Sequence, residues 1–466
     1  MNNSISRRRF MKLAGLVSIG FSGLQMYACN TAAASVSGSR NKGFGRLMPD
    51  PQNILNLPKG FSYKIISRQG EIMKDGFLLP GKPDGMATFQ GKNGRTILIR
   101  NHELGPEMKD LGPFGKDSEL LARVPDHLIY DAGRRTMPGQ GGVSTLIYNT
   151  QTQEVESQHL SLIGTIRNCA GGPTPWNSWI TCEETVAKKN NSLSQNHGYN
   201  FEVPAVEKPE LIHPIPLKDM GRFQHEAVCV DPSSGIVYQT EDRYDGLIYR
   251  FLPNQPGKLD RGGKLQILAI KGRKSYDTRN WKELEDEPFG LHEKLEVEWL
   301  DIDGVDTEED DLRQRGFELG AAKFARGEGM WYGDNELYFA CTVGGEKKQG
   351  QIFRYFPSPY EGKEQEKDFS GVLELFAEPD NSNLLQNCDN LTIAPNGDLI
   401  VCEDREEARL IGITPKGKYY LLAETVKYRS EFAGATFSPD GTTLFVNIQH
   451  AGITLAINGP WNFHRS

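Results

Sequence analysis

The chain has 466 residues, room for two or three ordinary domains or one large repeat architecture. Its 50 glycines and 26 prolines are roughly 16% of it, against about 12% in ordinary proteins, and mean hydropathy is −0.51. This composition excludes a helical bundle or coiled coil, no uncharged apolar run reaches the ~20 residues of a spanning helix, and a net charge of −8 excludes general nucleic-acid binding.

Residues 1–34 read as an export leader: a basic head, an uncharged apolar stretch from Leu13 to Ala28, then Thr31-Ala32-Ala33-Ala34. The head, Ser6-Arg7-Arg8-Arg9-Phe10-Met11-Lys12, resembles the twin-arginine motif, read by export machinery that carries proteins already folded. The expected location is therefore periplasmic or extracellular. Removing Arg7, Arg8, Arg9 and Lys12 takes the net charge from −8 to −12. Two endings fit: cleavage after Ala34, or lipid attachment at Cys29, for which Tyr27 is an unfavourable neighbour. Folded export lets a chain acquire a metal before it crosses the membrane.

From residue 50 to the end, one pattern recurs: an apolar strand, a Gly/Asn/Asp/Pro turn, a second apolar strand closing on polar residues, then a third strand. Residues 227–242, 391–404 and 435–447 carry it well. Looser copies start near Met86, Pro173 and Met330, giving six units. Short alternating strands between such turns predict an all-β fold, and repeated units of about four strands predict a six-bladed β-propeller forming a single catalytic domain. A β-sandwich would explain the strands but not the sixfold similarity. Two stretches exceed a blade, 104–141 and 253–326, and read as insertions with a role at the surface or over a site. The seven cysteines form no CxxC pair, which weakens zinc-ribbon and thioredoxin readings. Cys182, Cys341 and Cys402 are expected at equivalent hairpin positions as buried free thiols.

The repeat register gathers chemistry at one mouth. The position before each first strand reads Asp84, Cys169, Glu226, Glu328, Asp389 and Ala433-Gly434. The positions after each second strand read His102-Glu103, Glu183-Glu184, Glu241-Asp242, Thr342, Glu403-Asp404 and Gln449-His450. At about 6 Å and an effective dielectric of about 20, each carboxylate pair costs roughly 3 kcal/mol. Ten pairs would then exceed the ~5–15 kcal/mol that holds a domain together. Multivalent cations resolve this, oxygen ligands suiting calcium and the Cys169 thiolate suiting a transition ion such as iron. Arg326, two residues before Glu328, is suited to forking phosphate oxygens, with Arg405 next in line. His225 reads as a ligand, a donor to substrate or a packed histidine. No GxSxG elbow, Walker loop, GxGxxG unit or HExxH motif occurs.

At these residues the chain resembles the PhoX-type alkaline phosphatases, exported bacterial propellers with an iron and calcium site. The likeness rests on Asn101-His102-Glu103, on the block from Asn168-Cys169 through Thr174-Pro175-Trp176 to Cys182-Glu183-Glu184, and on Phe223-Gln224-His225-Glu226. Thr240-Glu241-Asp242, Arg326-Gly327-Glu328-Gly329, Cys388-Asp389-Asn390 and Phe432-Ala433-Gly434 complete it. The resemblance implies two ferric ions (Fe3+) and several calcium ions (Ca2+) bridged by an oxo group, hydrolysing phosphate monoesters. It implies Cys169 as an iron ligand, Glu226 and Glu328 as iron or calcium ligands, Glu184 as a further ligand and Arg326 as the phosphate clamp. Asp84, Glu103, Glu241, Asp242, Asp389 and Glu403 complete the expected metal set, and Glu183 against Glu184 stays open because adjacent strand residues face opposite sides. Two other functions fit less of the sequence: a calcium-dependent propeller lactonase, which needs no thiolate, and a non-catalytic exported propeller that binds a partner.

Overall fold

The computed structural model describes residues 43–461; the leader and Cys29 lie outside the described residues. Each hairpin forms where alternating apolar residues meet a turn that only certain residues accept. In the Pro395-Asn396-Gly397 turn, for instance, Gly397 sits at φ +83°. The result is all-β and propeller-like, with one α-helix, Leu312–Leu319, among the described residues.

Hydrogen bonding links the strands into five sheets of four, three, nine, six and four strands. The first runs Pro83–Gln90, Arg95–His102, Gly141–Asn149, Glu154–Thr165, and the second Asn168–Pro173, Ser178–Glu183, Asn200–Pro204. The nine-stranded sheet begins at His225–Val230 and ends at Gly327–Tyr332, so it joins two of the expected hairpin units. Pairing alone therefore gives five sheets where six separate units were expected. In the last sheet Ser62–Arg68 pairs with Ile453–Asn458, so residues from the two ends of the described chain close one sheet.

Six strands form the inner wall: Pro83–Gln90, Asn168–Pro173, His225–Val230, Gly327–Tyr332, Cys388–Ile393 and Phe432–Phe437. Each packs beside the next, and the sixth packs beside the first. Close approach at the axis requires small residues. A Cβ on Gly85 would lie 2.6 Å from Ala170 Cα, and one on Gly329 would lie 2.6 Å from Asn390 Cα. All six carry the same irregularity, a register shift two to three residues in, for example between His225 and Val228 and between Gly327 and Met330. An extra residue at such a bulge re-aims the neighbouring side chain, and here it re-aims each leading residue. Apolar residues fill the spaces between sheets, as in the buried cluster that includes Leu410, Leu422, Phe432, Leu444, Leu455 and Trp461.

The two long stretches are built differently. Residues 104–141 fold into short 3-10 turns whose Phe114, Leu121, Val124 and Ile129 pack on Met73, Phe77 and Leu79. Residues 253–326 supply the outer strands Gly263–Ile270 and Lys294–Asp301 together with the helix. All six cysteines in the described residues are free and buried. Cys341 pairs with Gly327 as Glu183 pairs with Asn168, so it falls one residue later in the hairpin than Cys182, a correction to the expected equivalence. No helix among the described residues is long and apolar enough to cross a membrane.

Candidate metal centre

The bulged inner strands bring five of the expected residues together. Ligand atoms of Cys169, Glu184 and Glu226 lie within 4.8 Å of one another, as do those of Glu226, Glu328 and Asp389. Glu226 belongs to both groups, so the two form one continuous cluster. Around it stand Asp84 and Glu103, bridged by Gln449, whose Nε2 donates to Asp84 Oδ2 at 2.7 Å and to Glu103 Oε2 at 3.1 Å.

The closing strands decide between consecutive acids. Register pairs Asn168 with Glu183, His225 with Glu241 and Cys388 with Glu403. All three of these glutamates are buried and turn into their own sheets. Glu183 accepts from Ile166 N at 2.9 Å, Gly198 N at 2.9 Å and His197 Nδ1 at 2.7 Å. Glu241 accepts from Tyr249 Oη at 2.9 Å and Leu247 N at 3.1 Å. Glu403 accepts from Gln386 N at 2.8 Å and Arg409 Nε at 2.7 Å. Glu241 and Glu403, expected among the ligands, therefore stay out of the cluster. The next residue in each case, Glu184, Asp242 or Asp404, faces the mouth, consistent with strand alternation.

Arg326 is held at the rim. Its Nε and Nη2 donate to Asp242 Oδ1 and Oδ2 at 2.7 and 2.8 Å, and Nη2 also reaches Glu328 Oε1 at 2.9 Å. Asp242 is thus engaged by the guanidinium. Burial alone would lower the Arg326 pKa, but Glu328 and Asp242 raise it, so the charge is secure. Arg405 instead donates to Gln386 Oε1 at 3.0 Å. His225 is a packed histidine: its ring stacks 3.6 Å from that of Phe223 and burial pushes its pKa down to about 3.

The sequence reading missed a second arginine. Arg167 stands two residues before Cys169, as Arg326 stands two before Glu328 and Lys82 two before Asp84. All three adopt left-handed backbone, at φ 52°, 55° and 43°. Arg167 pairs with Glu184 and, at 3.0 Å, with Glu103, and Lys82 pairs with Glu103 at 3.2 Å. The signal was the shared offset from the leading residue. Glu431 was missed as well; burial and then a hydrogen bond with Asp404 push its pKa up to about 9.

Electrostatics favour positive charge at this cluster. Burial, then Glu184 and Asp389, push Glu226 well above the usual carboxylate range. Glu328 is raised by burial and Asp242, Asp389 by burial and Asp84, and the Cys169 thiol by burial and Glu226. Without positive charge the cluster is forced to keep its protons. A shared carboxylate between a thiol-containing and an all-oxygen triad fits two kinds of ion, one softer and one hard.

A family model described as alkaline phosphatase PhoX matches residues 42–137 and 134–452. The chain belongs to the PhoX family. Its members are metal-dependent alkaline phosphatases, and this chain is accordingly a phosphoric monoester hydrolase. Pseudomonas fluorescens PhoX in complex with vanadate, a transition state analogue, is similar in fold: TM-score 0.62, 18% identity, covering 87% of this chain and 96% of that one. The periplasmic gluconolactonase of Pseudomonas aeruginosa aligns at TM-score 0.41 and 10% identity, covering 86% of this chain and 96% of that one. No curated protein matches the chain.

Proposed function

We propose that this chain is an exported phosphomonoesterase whose mouth holds iron and calcium together. The observation that carries the reading is the pair of triads joined at Glu226, one with a thiol and one all oxygen. Cys169, Glu184 and Glu226 would hold iron, and Glu226, Glu328 and Asp389 would hold the harder ion, with Asp84 and Glu103 at hand. Bound ions would supply Lewis-acid stabilisation of the phosphoryl charge and an activated nucleophile.

The chain's own residues orient the substrate. Asp242 takes the Nε and Nη2 edge of Arg326, while Nη1 carries no partner among the described residues. That leaves Nη1 and its neighbouring N–H groups to hold phosphate oxygens, with Asp242 fixing the plane of the fork. Arg167 supplies a second positive charge on the Glu184 side.

A six-bladed count fits the nine-stranded sheet read as two blades bridged by Lys294–Asp301, which meets Val372–Ala377 over only three residue pairs. The twin-arginine head supports export, with Cys29 the site of any lipid anchor. Metal-replete protein should hydrolyse p-nitrophenyl phosphate and lose that activity in a chelator; hydrolysis of lactones without phosphatase activity would overturn the reading.

A further inference from the structure

The loops of residues 126–135, 189–199 and 213–218 line an open cavity of about 670 Å3 that shares no lining residue with the metal cluster. Its lining carries four cations, Arg134, Arg135, Lys189 and Lys218, against one carboxylate, Asp126. That balance is unusual on a chain with net charge −8. Asp126 is spent on Arg135, and Lys218 pairs with Asp306 at 3.0 Å. Arg134 and Lys189 have no carboxylate partner among the described residues, and both are exposed.

The cavity is built, not incidental. Gly133, Arg134 and Arg135 run consecutively at φ 51°, 52° and 60°, a left-handed turn that non-glycine residues rarely adopt. Backbone of this kind persists only where its surroundings fix it, and it clusters at ligand clamps. Here the anchor is Asp131, which is fully buried. It accepts from Gly133 N at 2.7 Å on one loop and from Ser194 N at 2.8 Å and Gln195 N at 3.1 Å on another. His197 joins Asp131 to Glu183, and the Tyr130 ring, part of the cavity wall, meets the His197 ring edge-on at 5.3 Å. This buried chain fixes both loops that carry the free cations.

We infer that this cavity is a second binding site, for a small phosphorylated organic molecule. An arginine and a lysine on one cavity lining suit a phosphate dianion. Tyr130 together with the proline-rich 213–216 segment offers an apolar wall for the organic part, and the volume matches ordinary ligand pockets of ~300–1,000 Å3.

Phenylphosphonate is a suitable probe, because a phosphomonoesterase cannot cleave its C–P bond. Isothermal titration of the metal-loaded protein compares wild type with the double variant Arg134→Asn/Lys189→Gln, asparagine being tolerated in left-handed backbone. The double variant should bind one equivalent fewer than wild type, while kcat/KM for p-nitrophenyl phosphate and Tm stay unchanged. Equal stoichiometry and affinity in the two proteins would overturn the assignment, whether or not the metal centre binds the probe.

Discussion

Replacing Glu183 and Glu184 one at a time by glutamine separates the scaffold from the chemistry, since the two neighbours face opposite ways. Glu183 is fully buried and holds His197 together with the backbone of Ile166 and Gly198. Glu183→Gln removes one charge of a buried pair and turns an amide N–H toward those donors, a loss of about 3–5 kcal/mol. Unfolding entropy for some 420 residues is roughly 0.9 kcal/mol/K, so Tm should fall by about 3–6 °C. Metal content should hold.

Glu184→Gln has the opposite profile. Burial pushes the Glu184 carboxyl up to about 7 against the pull of Arg167, with Asp242 and Glu103 adding to the rise, and Arg167 keeps Glu103 as a second partner, so a neutral amide here should change stability little. Bound metal and turnover should drop, kcat by a hundredfold or more. Thermal melts and elemental analysis of both variants read the two effects separately. Loss of metal in Glu183→Gln with retention in Glu184→Gln would refute the assignment of facing.

Arg326→Lys keeps the charge but loses the fork, so it should retain both metals, lower kcat/KM and weaken inhibition by inorganic phosphate about tenfold, near the 1.4 kcal/mol of one decade; metal loss in this variant would mark Arg326 as a counter-charge. Cys169→Ser should abolish activity with the fold intact, whereas Cys229→Ser, inside an inner strand, should leave turnover unchanged; equal losses would mean the site is misplaced. His197 gives a pH effect on stability. Burial would lower its pKa, but Glu183 and Asp131 raise it to about 9, above the unfolded value of ~6.5. Its contribution is therefore complete below about pH 6.5 and lost as pH climbs through about 9. Melts from pH 7 to 10 should show a decline that His197→Gln flattens, and parallel curves for the two proteins would contradict this.

The leading positions were legible because hairpin turns fix register, and register fixes which end of each strand reaches the axis. Asp84, Cys169, Glu226, Glu328 and Asp389 could thus be aligned without coordinates. Which of two consecutive acids faces inward was not legible, because the answer turns on the bulge in the partnered inner strand, and a bulge leaves no residue signature at Glu241 or Glu403. Arg167 lay within reach of the same reasoning that picked Arg326. The residue it precedes, Cys169, is not an acid, so no adjacent carboxylate in the sequence marks it as a counter-charge. The anchoring of two loops at Asp131 was not legible in the sequence, since its partners Ser194, Gln195 and His197 lie some sixty residues away.

Elemental analysis of the protein purified without chelator tests the central claim most directly. A cluster in which Cys169, Glu184, Glu226, Glu328 and Asp389 converge should return iron and calcium together, with iron lost in Cys169→Ser. Calcium with no iron in the wild-type protein would contradict the account.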